Sequence, residues 1–406
     1  MKYDFTSVID RRGMDASAVD SVGVKKWGIE PDAPREGFDF IPMWVADMNF
    51  ATCPAIQEAI LQRVKHPLYG YFAPSEAYFQ SILAWQSTRN GYTDLKKEHI
   101  GYENGVHGGV TSAVEALSKP GDRILLHSPV YVGFQSDVEG LGRSSVYSPL
   151  QRDEKGIWRM DYGDMDRKLK ENDIHLAIFC SPHNPTGRVW ERWELEKAME
   201  VFAANHCHVI SDEIWSDLVL PGHRHTPSLM VNDWAREHTV TFAAPTKTFN
   251  LAGLVASYHI IYNEALRERV SAHGERTHYN SMNVLSMHAQ IGGYSREGRA
   301  WLEELLPVLQ HNADYACEHI RRCYPGVEVA DPQGTYMIFL DLTGYCRRTG
   351  RDLDAVLRAG WAVGVGWQDG RPFQGPCHIR MNLALPFERV KEAFDRLDQY
   401  VFAPFQ

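Results

Sequence analysis

Short, nearly continuous apolar runs recur along the middle of the chain, and amphipathic segments separate them. Apolar residues three and four positions apart predict helices at Tyr131–Glu139 and Trp193–Ala204. The apolar runs predict strands at Arg123–His127, Ser145–Tyr147, Ile174–Cys180, His208–Ser211 and Thr239–Ala243. Because continuous apolar strands alternating with helices are typical of a sheet buried on both faces, the pattern predicts an α/β fold with a mostly parallel sheet covered by helices.

The flanking regions have a different texture. Residues 1 to about 42 are polar with little periodicity, and the segments Cys53–Val64, Ser75–Arg89 and Thr111–Leu117 predict helices. After about residue 285 we expect a smaller α+β unit, with a long helix at Ala300–Arg322 that Pro307 begins or kinks, strands at Thr335–Leu342 and His378–Leu383, and helices at Leu353–Ala359 and Phe387–Tyr400. The predicted organisation is an N-terminal arm (1–45) that packs with a small C-terminal domain (286–406), and a large domain (46–285).

Composition excludes several classes of function. The net charge of −10 and the lack of a basic run argue against a nucleic-acid partner. No apolar run reaches the roughly 18 residues that span a bilayer, and the N-terminus lacks the apolar core of a signal peptide. Seven cysteines without a CxxC pair favour free thiols and a cytoplasmic location. We interpret His206-Cys207-His208 as structural and predict no metal site.

Polar residues stand directly after three of the predicted strands, where sites in parallel sheets lie. Lys247 follows one strand and suits Schiff-base chemistry if desolvated, although on this stretch alone a solvated loop lysine fits as well. Asn184 lies in a loop fixed by two prolines and a glycine, which is also compatible with an ordinary turn. Asp212 either holds a protonated heteroaromatic nitrogen or caps a helix. Arg380, in an apolar strand, either binds a substrate carboxylate or faces solvent.

In combination these segments resemble the pyridoxal-phosphate (PLP) enzymes of fold type I, the aspartate aminotransferase superfamily. More narrowly, the chain resembles the cystathionine β-lyase-like (PatB/MalY) branch. The resemblance extends over nearly the whole chain and is carried by PMWVADMNF (42–50), HPLYGY (66–71), SPVYVGF (128–134), CSPHNPTGRVW (180–190), SDEIWSDL (211–218), APTKTFNLAGL (244–254) and IRMNLALP (379–386).

The resemblance implies a role for each matching residue. Lys247 would hold the cofactor covalently and transfer protons, and Asp212 would pair with its pyridinium nitrogen. The other implied cofactor contacts are Asn184 to the ring oxygen, Tyr131 on the ring face, the amides of Val106 and His107 and the Thr246 hydroxyl at the phosphate, and Tyr71 from the partner subunit of a homodimer. Arg380 would bind the substrate carboxylate, with Asn184 and Ala46 beside it.

Three positions depart from the family pattern. Trp215 stands where aminotransferases have Tyr and this branch has His, Ala244 replaces a phosphate-binding Ser or Thr, and Val255 replaces the phosphate-binding Arg of aminotransferases. This branch shares the loss of the arginine. The resemblance therefore implies a PLP-dependent β-lyase that converts cystathionine, cysteine or a related S-substituted cysteine into pyruvate, ammonia and a thiol. The alternatives are an aminotransferase and, in a different class, a regulatory protein on the same fold.

Overall fold

The computed structural model describes residues 2–24 and 28–403, so residues 1, 25–27 and 404–406 of the predicted arm and small domain lie outside it. Its strands are β1 Ile41–Pro42, β2 Ile100–Glu103, β3 Arg123–Ser128, β4 Ser144–Pro149, β5 Gln151–Arg152, β6 Trp158–Arg159, β7 Leu176–Cys180, β8 His208–Asp212, β9 Thr239–Ala243, β10 Ser257–Ile260, β11 Glu328–Val329, β12 Met337–Asp341, β13 Val365–Gly366, β14 Gln368–Asp369 and β15 His378–Asn382.

Most of the α-helices of the same residues lie between these strands, in places two or three in succession. They are α1 Ser17–Asp20, α2 Pro54–Val64, α3 Glu76–Asn90, α4 Val106–Leu117, α5 Val132–Gly140, α6 Tyr162–Glu171, α7 Arg192–Ala204, α8 Asp233–His238, α9 Glu264–Thr277, α10 Val284–Gly293, α11 Arg296–Cys323, α12 Thr343–Thr349, α13 Leu353–Ala362 and α14 Phe387–Leu397.

The large sheet has the order β2-β10-β9-β8-β7-β3-β4 within the described residues. Strands β4, β3, β7, β8 and β9 pair in parallel, whereas β10 runs antiparallel to both of its neighbours, β9 and β2. Every residue of β7 and β9 is buried, and so is every residue of β8 except His208, which is half-buried. The expected α/β fold with a mostly parallel sheet is confirmed.

Helices cover both faces of this sheet and explain the burial of its central strands. On one face α4, α5 and α9 pack on the sheet through an apolar cluster that includes Val110, Phe134 and Val270. On the other face α6, α7 and α8 pack through a second cluster that includes Leu169 and Phe202. A strand enclosed on both sides loses the apolar/polar alternation of an exposed sheet, which is why β7 reads as an unbroken apolar run.

The sequence interpretation missed β10, and it left open whether Pro307 begins or kinks the long helix. His259 interrupts the apolar pattern of β10, but it is buried because Nδ1 lies 2.5 Å from Oε1 of the buried Glu103 on β2. Pro307 does not begin the long helix, since α11 extends from Arg296 through Pro307 to Cys323. A proline is tolerated there at the cost of one backbone hydrogen bond.

A second sheet, in the order β11-β12-β15-β14, lies in the C-terminal part of the described chain. The N-terminal arm reaches this part, because β1 pairs in parallel with β13 and Asp39 receives hydrogen bonds from Arg389 and Arg396. The division at residues 45 and 285 stays a prediction. No helix in the described ranges combines the length and the apolar character needed to cross a membrane.

Candidate active site

A cavity of about 340 Å³ opens at the carboxyl edge of the large sheet. Parallel pairing places Cys180 of β7 opposite Asp212 of β8, and β9 runs beside β8, so the loops that follow these three strands emerge together. The cavity is lined by residues from those loops, from the N-terminus of α4, from the segment 44–46 and from the second sheet. This position is where ligand sites of open α/β sheets are found.

Lys247 projects into the cavity from the loop after β9. Its Nζ donates a hydrogen bond to the carbonyl oxygen of Ala46 at 2.7 Å and lies 5.6 Å from the ring centre of Trp215. Burial, and secondarily the positive charge of Arg380, lowers the pKa of Lys247 to about 8. A substantial neutral fraction near physiological pH gives this amine the nucleophilic form that carbonyl chemistry requires.

Asp212 ends β8 and is only 5% exposed. Its Oδ1 accepts a hydrogen bond from the backbone N–H of Ile214 at 3.0 Å. Burial raises the pKa of Asp212 to about 7 in spite of that hydrogen bond. A buried carboxylate with a raised pKa is stabilised by a cation placed beside it, so this wall of the cavity favours a positively charged ligand atom.

Asn184 and Arg380 meet across the cavity although 196 positions separate them. Arg380 Nη1 donates to Asn184 Oδ1 at 3.1 Å, and the guanidinium stacks over the Phe373 ring at 4.4 Å. Arg380 is 4% exposed, and burial lowers its pKa to about 10. The arginine therefore faces the cavity rather than solvent, where an anionic ligand group would replace the lost hydration.

The N-terminus of α4 forms another wall of the cavity. Gly105 precedes the helix with φ of 87°, and the N–H groups of Val106 and His107 lie in the first turn, where no carbonyl of the helix accepts them. Buried Thr246 lines the same cavity. These groups suit an anion, because a helix N-terminus carries partial positive charge.

Tyr131 caps α5 and contacts His107 edge to face, with ring centres 6.3 Å apart. The residue that allows this contact is Gly133, because a Cβ at that position would lie 2.4 Å from Tyr131 Cε1 and 2.6 Å from His107 Nε2. His107 also contacts Asp137, whose Oδ1 lies 3.2 Å from Nε2 of the histidine. The aromatic wall is thus fixed by a small residue that the sequence interpretation did not single out.

Three further positions from the sequence analysis offer the cavity no hydrogen-bond acceptor or charge: one lies outside it and two line it with apolar or aromatic side chains. Tyr71 lies outside the cavity and is fully exposed, in a segment that also exposes Leu68 and Tyr69. Val255 lines the cavity with φ of 43°, an unusual conformation for a β-branched residue, and offers no polar side-chain atom. Trp215 is buried at the cavity wall and packs edge to face on Tyr336, 4.8 Å between ring centres.

Several residues in or beside the cavity escaped the sequence interpretation. Gln368 Oε1 accepts a hydrogen bond from Arg380 Nη2 at 2.5 Å, and the Trp44 carbonyl accepts another at 2.9 Å. Tyr336 donates to the same Ala46 carbonyl as Lys247, at 3.0 Å. Trp44 lies within a motif that was recognised, but no sequence signal marks a carbonyl as a ligand. Gln368 lies in a two-residue strand with no motif of its own.

The chain is similar in sequence and in structure to a family of known proteins. Residues 39–397 match the family model described as aminotransferase class I and II. The chain is 37% identical to cystathionine beta-lyase PatB of Bacillus subtilis (strain 168), over 76% of this chain and 79% of that protein. It is 32% identical to protein MalY of Escherichia coli (strain K12), over 96% of both. Among solved structures, the PLP-bound C-S lyase of Staphylococcus hominis superposes with a TM-score of 0.88 at 29% identity, covering 99% of this chain and 98% of that one.

Proposed function

Because the chain belongs to the aminotransferase class I and II family, we propose that it binds PLP in this cavity and acts as a carbon–sulfur β-lyase. Its substrate would be cystathionine, cysteine or a related S-substituted cysteine, and its products pyruvate, ammonia and a thiol. The observation that carries the proposal is the pair formed by a buried lysine of lowered pKa and a buried aspartate of raised pKa in one cavity. The names of the similar lyases support the reaction class.

The residues present fit this cofactor. Asp212 is a buried carboxyl that a protonated ring nitrogen would stabilise as the anion, and Lys247 is an amine able to bond to the cofactor aldehyde. The free amides of Val106 and His107 and the Thr246 hydroxyl suit the phosphate, whereas Val255 contributes no charge there. Tyr131 would cover the ring face, and Asn184 would donate to the ring oxygen through its amide nitrogen, since its oxygen already accepts from Arg380.

When bound, the cofactor supplies an electron sink that stabilises a carbanion at the substrate Cα. Asp212 would keep that sink effective by holding the ring nitrogen protonated. Lys247 Nζ removes the Cα proton, and its lowered pKa makes the neutral amine available for this step. The Ala46 carbonyl, 2.7 Å from Nζ, holds the amine when it is not bonded to the cofactor. Loss of the thiolate from Cβ completes the elimination.

Arg380 would bind the α-carboxylate of the substrate, with Asn184 and Ala46 at the same end of the cavity. Bidentate recognition of a planar carboxylate is the task for which a guanidinium is better suited than an ammonium group. Because Lys247 lines the same cavity as this arginine, binding of the carboxylate would orient the Cα–H bond relative to the amine that removes the proton.

Two further expectations belong to this proposal. Tyr71 and its exposed apolar neighbours suit an interface with a second copy of the chain, in which Tyr71 would reach the phosphate of the partner's cofactor. All seven cysteines are free thiols, which suits a reducing compartment such as the cytoplasm.

The competing function is amino-group transfer on the same scaffold, and product analysis separates the two. Purified enzyme supplied with PLP is incubated with cystathionine, cysteine and S-substituted cysteines, without any 2-oxo acid. We expect pyruvate and free thiol in equal amounts. An enzyme that forms pyruvate from none of these substrates, but exchanges amino groups when a 2-oxo acid is added, would be an aminotransferase. An enzyme inactive in both assays would favour the regulatory alternative.

A further inference from the structure

Gln368 lies directly opposite Arg380 across the antiparallel pair β14–β15, so the two side chains share one face of the sheet. Gln368 is 3% exposed and lines the cavity. Its amide orientation is fixed by chemistry, because arginine nitrogens only donate and the atom 2.5 Å from Nη2 must therefore be the oxygen. The NH₂ group of Gln368 makes no hydrogen bond within the described part of the chain.

The hydrogen bonds of Arg380 leave no room for a bidentate carboxylate in the empty site. Both hydrogens of Nη2 are used, by the Trp44 carbonyl and by Gln368 Oε1, while Nε is buried without a partner among the described residues. A carboxylate that binds a guanidinium bidentately uses either the Nη1–Nη2 edge or the Nε–Nη2 edge, and both include Nη2. One acceptor of Nη2 must therefore leave when a substrate carboxylate binds.

The acceptor able to leave is Gln368. The Trp44 carbonyl belongs to a backbone segment whose next carbonyls, those of Val45 and Asp47, are held by Asn382 Nδ2 at 2.7 and 2.6 Å. Gln368 contributes a side-chain amide, which moves by rotation about its own bonds. Rotation about the side-chain bonds withdraws the amide oxygen from Nη2 of Arg380 and turns the NH₂ group toward the cavity, where it can donate to an incoming carboxylate oxygen.

We propose that Gln368 is a substrate-binding residue that occupies Arg380 in the empty site and turns to donate an N–H to the substrate α-carboxylate. The assignment rests on the proposed function only in taking the substrate to be an amino acid. It explains the amide at this position, because a carboxylate here repels the substrate and an apolar side chain leaves Nη2 of Arg380 without its acceptor.

The test compares Gln368→Leu and Gln368→Glu with the wild-type holoenzyme. Loss of a hydrogen bond to a charged group corresponds to roughly a 10- to 100-fold increase in KM, and we expect kcat to change by less than about threefold. Q368E should show the larger increase, since its anion competes for Arg380. Gln135→Leu is the matched control, because Gln135 Oε1 also accepts an amide hydrogen, at 2.8 Å from Gln374, but lies outside the cavity.

A binding measurement separates this inference from the proposed reaction. Titration of each holoenzyme with L-alanine and with ethylamine, followed by cofactor absorbance, reports recognition of the carboxylate without C–S cleavage. The wild-type preference for alanine should fall about tenfold or more in Q368L and persist in Q135L. Unchanged preference and unchanged KM in both Gln368 variants would overturn the inference. An enzyme that cleaves no thioether yet loses the preference in Q368L would refute the lyase proposal alone.

Discussion

At the scale of single residues, the site buries two ionisable groups, and burial disfavours the charged form of each. Lys247 and Asp212 lie in the same cavity, and burial is the largest influence on the pKa of each. Buried charges of this kind lower the free energy of unfolding, and they are typical of active sites, where a bound ligand compensates for the lost hydration. The protein without its cofactor should accordingly be less stable than variants that lack these charges.

Lys247→Met should stabilise the cofactor-free protein at pH 7. The pKa of Lys247 is about 8 in the folded protein and 10.5 in the unfolded chain, so the unfolded chain binds more protons between these pH values. Wild-type stability therefore rises with pH across that window, and the variant's advantage, about 3 kcal/mol below pH 8, shrinks toward zero near pH 10.5. Urea unfolding of both proteins at pH 7 and pH 10 measures the difference. If the stability advantage of the variant grew with pH, the lowered pKa of Lys247 would be contradicted.

Gly133→Ala should weaken cofactor binding although residue 133 makes no polar contact with a ligand. The added Cβ lies 2.4 Å from Tyr131 Cε1, a distance that forces the ring to move. The matched control is Gly140→Ala at the end of the same helix, where a Cβ meets no atom within 4 Å. We expect at least about a tenfold higher Kd for PLP in G133A and no change in G140A, by equilibrium titration of the apoproteins. Equal Kd values in both variants would remove Tyr131 from the proposed site.

Much of this site could be predicted from the sequence, because its residues lie at the ends of buried strands or in the loops that follow them. Asn184 and Lys247 follow β7 and β9, Asp212 ends β8, and the apolar character of those strands is visible in the chain. Gln368 and the Ala46 carbonyl were not accessible as ligands of Arg380 and Lys247. The first depends on the register of a two-residue strand, and the second is a backbone atom that every residue possesses.

At the scale of elements, the segment 44–48 acts as a strap across the cavity, held through its carbonyl oxygens. Trp44 O accepts from Arg380, Ala46 O from Lys247 and Met48 O from Asn250. The N-terminal arm holds the same strap, since Arg11 Nη2 lies 2.5 Å from Asp47 Oδ2 and Trp44 Nε1 donates to Ala18 O at 3.0 Å. The arm therefore contacts the site mainly through the strap, in addition to lining the cavity with Ile29.

Arg11→Ala should raise the pKa of Lys247. Asp47 already opposes the lowering of that pKa, and removal of its partner Arg11 leaves a stronger negative field at the amine. We expect the acidic limb of the kcat profile, which reports the substrate complex in which the amine of Lys247 is free, to move to higher pH, and kcat at pH 7 to fall severalfold. Arg12→Ala is the control, because Arg12 pairs with Asp10 in solvent. An unshifted limb in R11A would show that the strap does not couple the arm to Lys247.

The elements that the sequence misrepresented have physical explanations. Strand β10 contains Ser257 and His259, whose burial depends on Glu103 of the neighbouring strand, so their partners are invisible in a local window. Gly101 opposite His259 leaves room for the ring, since a Cβ there would lie 2.1 Å from His259 Cε1. Helix α11 passes through Pro307 because long-range packing of residues such as Leu302 and Leu309 outweighs one lost hydrogen bond.

At the scale of the whole molecule, the single chain leaves an apolar surface around Tyr71. Leu68, Tyr69 and Phe72 are exposed beside it, and a groove of this segment is also lined by Tyr102 and Met282. Such a patch on one chain is typical of an interface. The proposed homodimer would bury it and complete each phosphate site from the other subunit.

Mixing two inactive variants tests this shared site. In a hybrid dimer of Lys247→Ala and Tyr71→Ala subunits, one of the two sites regains both wild-type residues. Random re-association at equal amounts should restore about a quarter of the wild-type activity in the mixture, whereas each parent stays nearly inactive. Light scattering of the wild type should give twice the mass of one chain. A monomer, or a mixture no more active than its parents, would contradict the shared site.

The central claim is that Lys247 is the residue that bonds to the cofactor in the cavity formed with Asp212. Borohydride reduction of the PLP-treated protein, followed by digestion and peptide mass spectrometry, measures this directly. We expect one cofactor adduct, at Lys247, and its absence from both Lys247→Ala and unreduced wild-type protein. An adduct at a different lysine, or an equal adduct in K247A, would contradict the account.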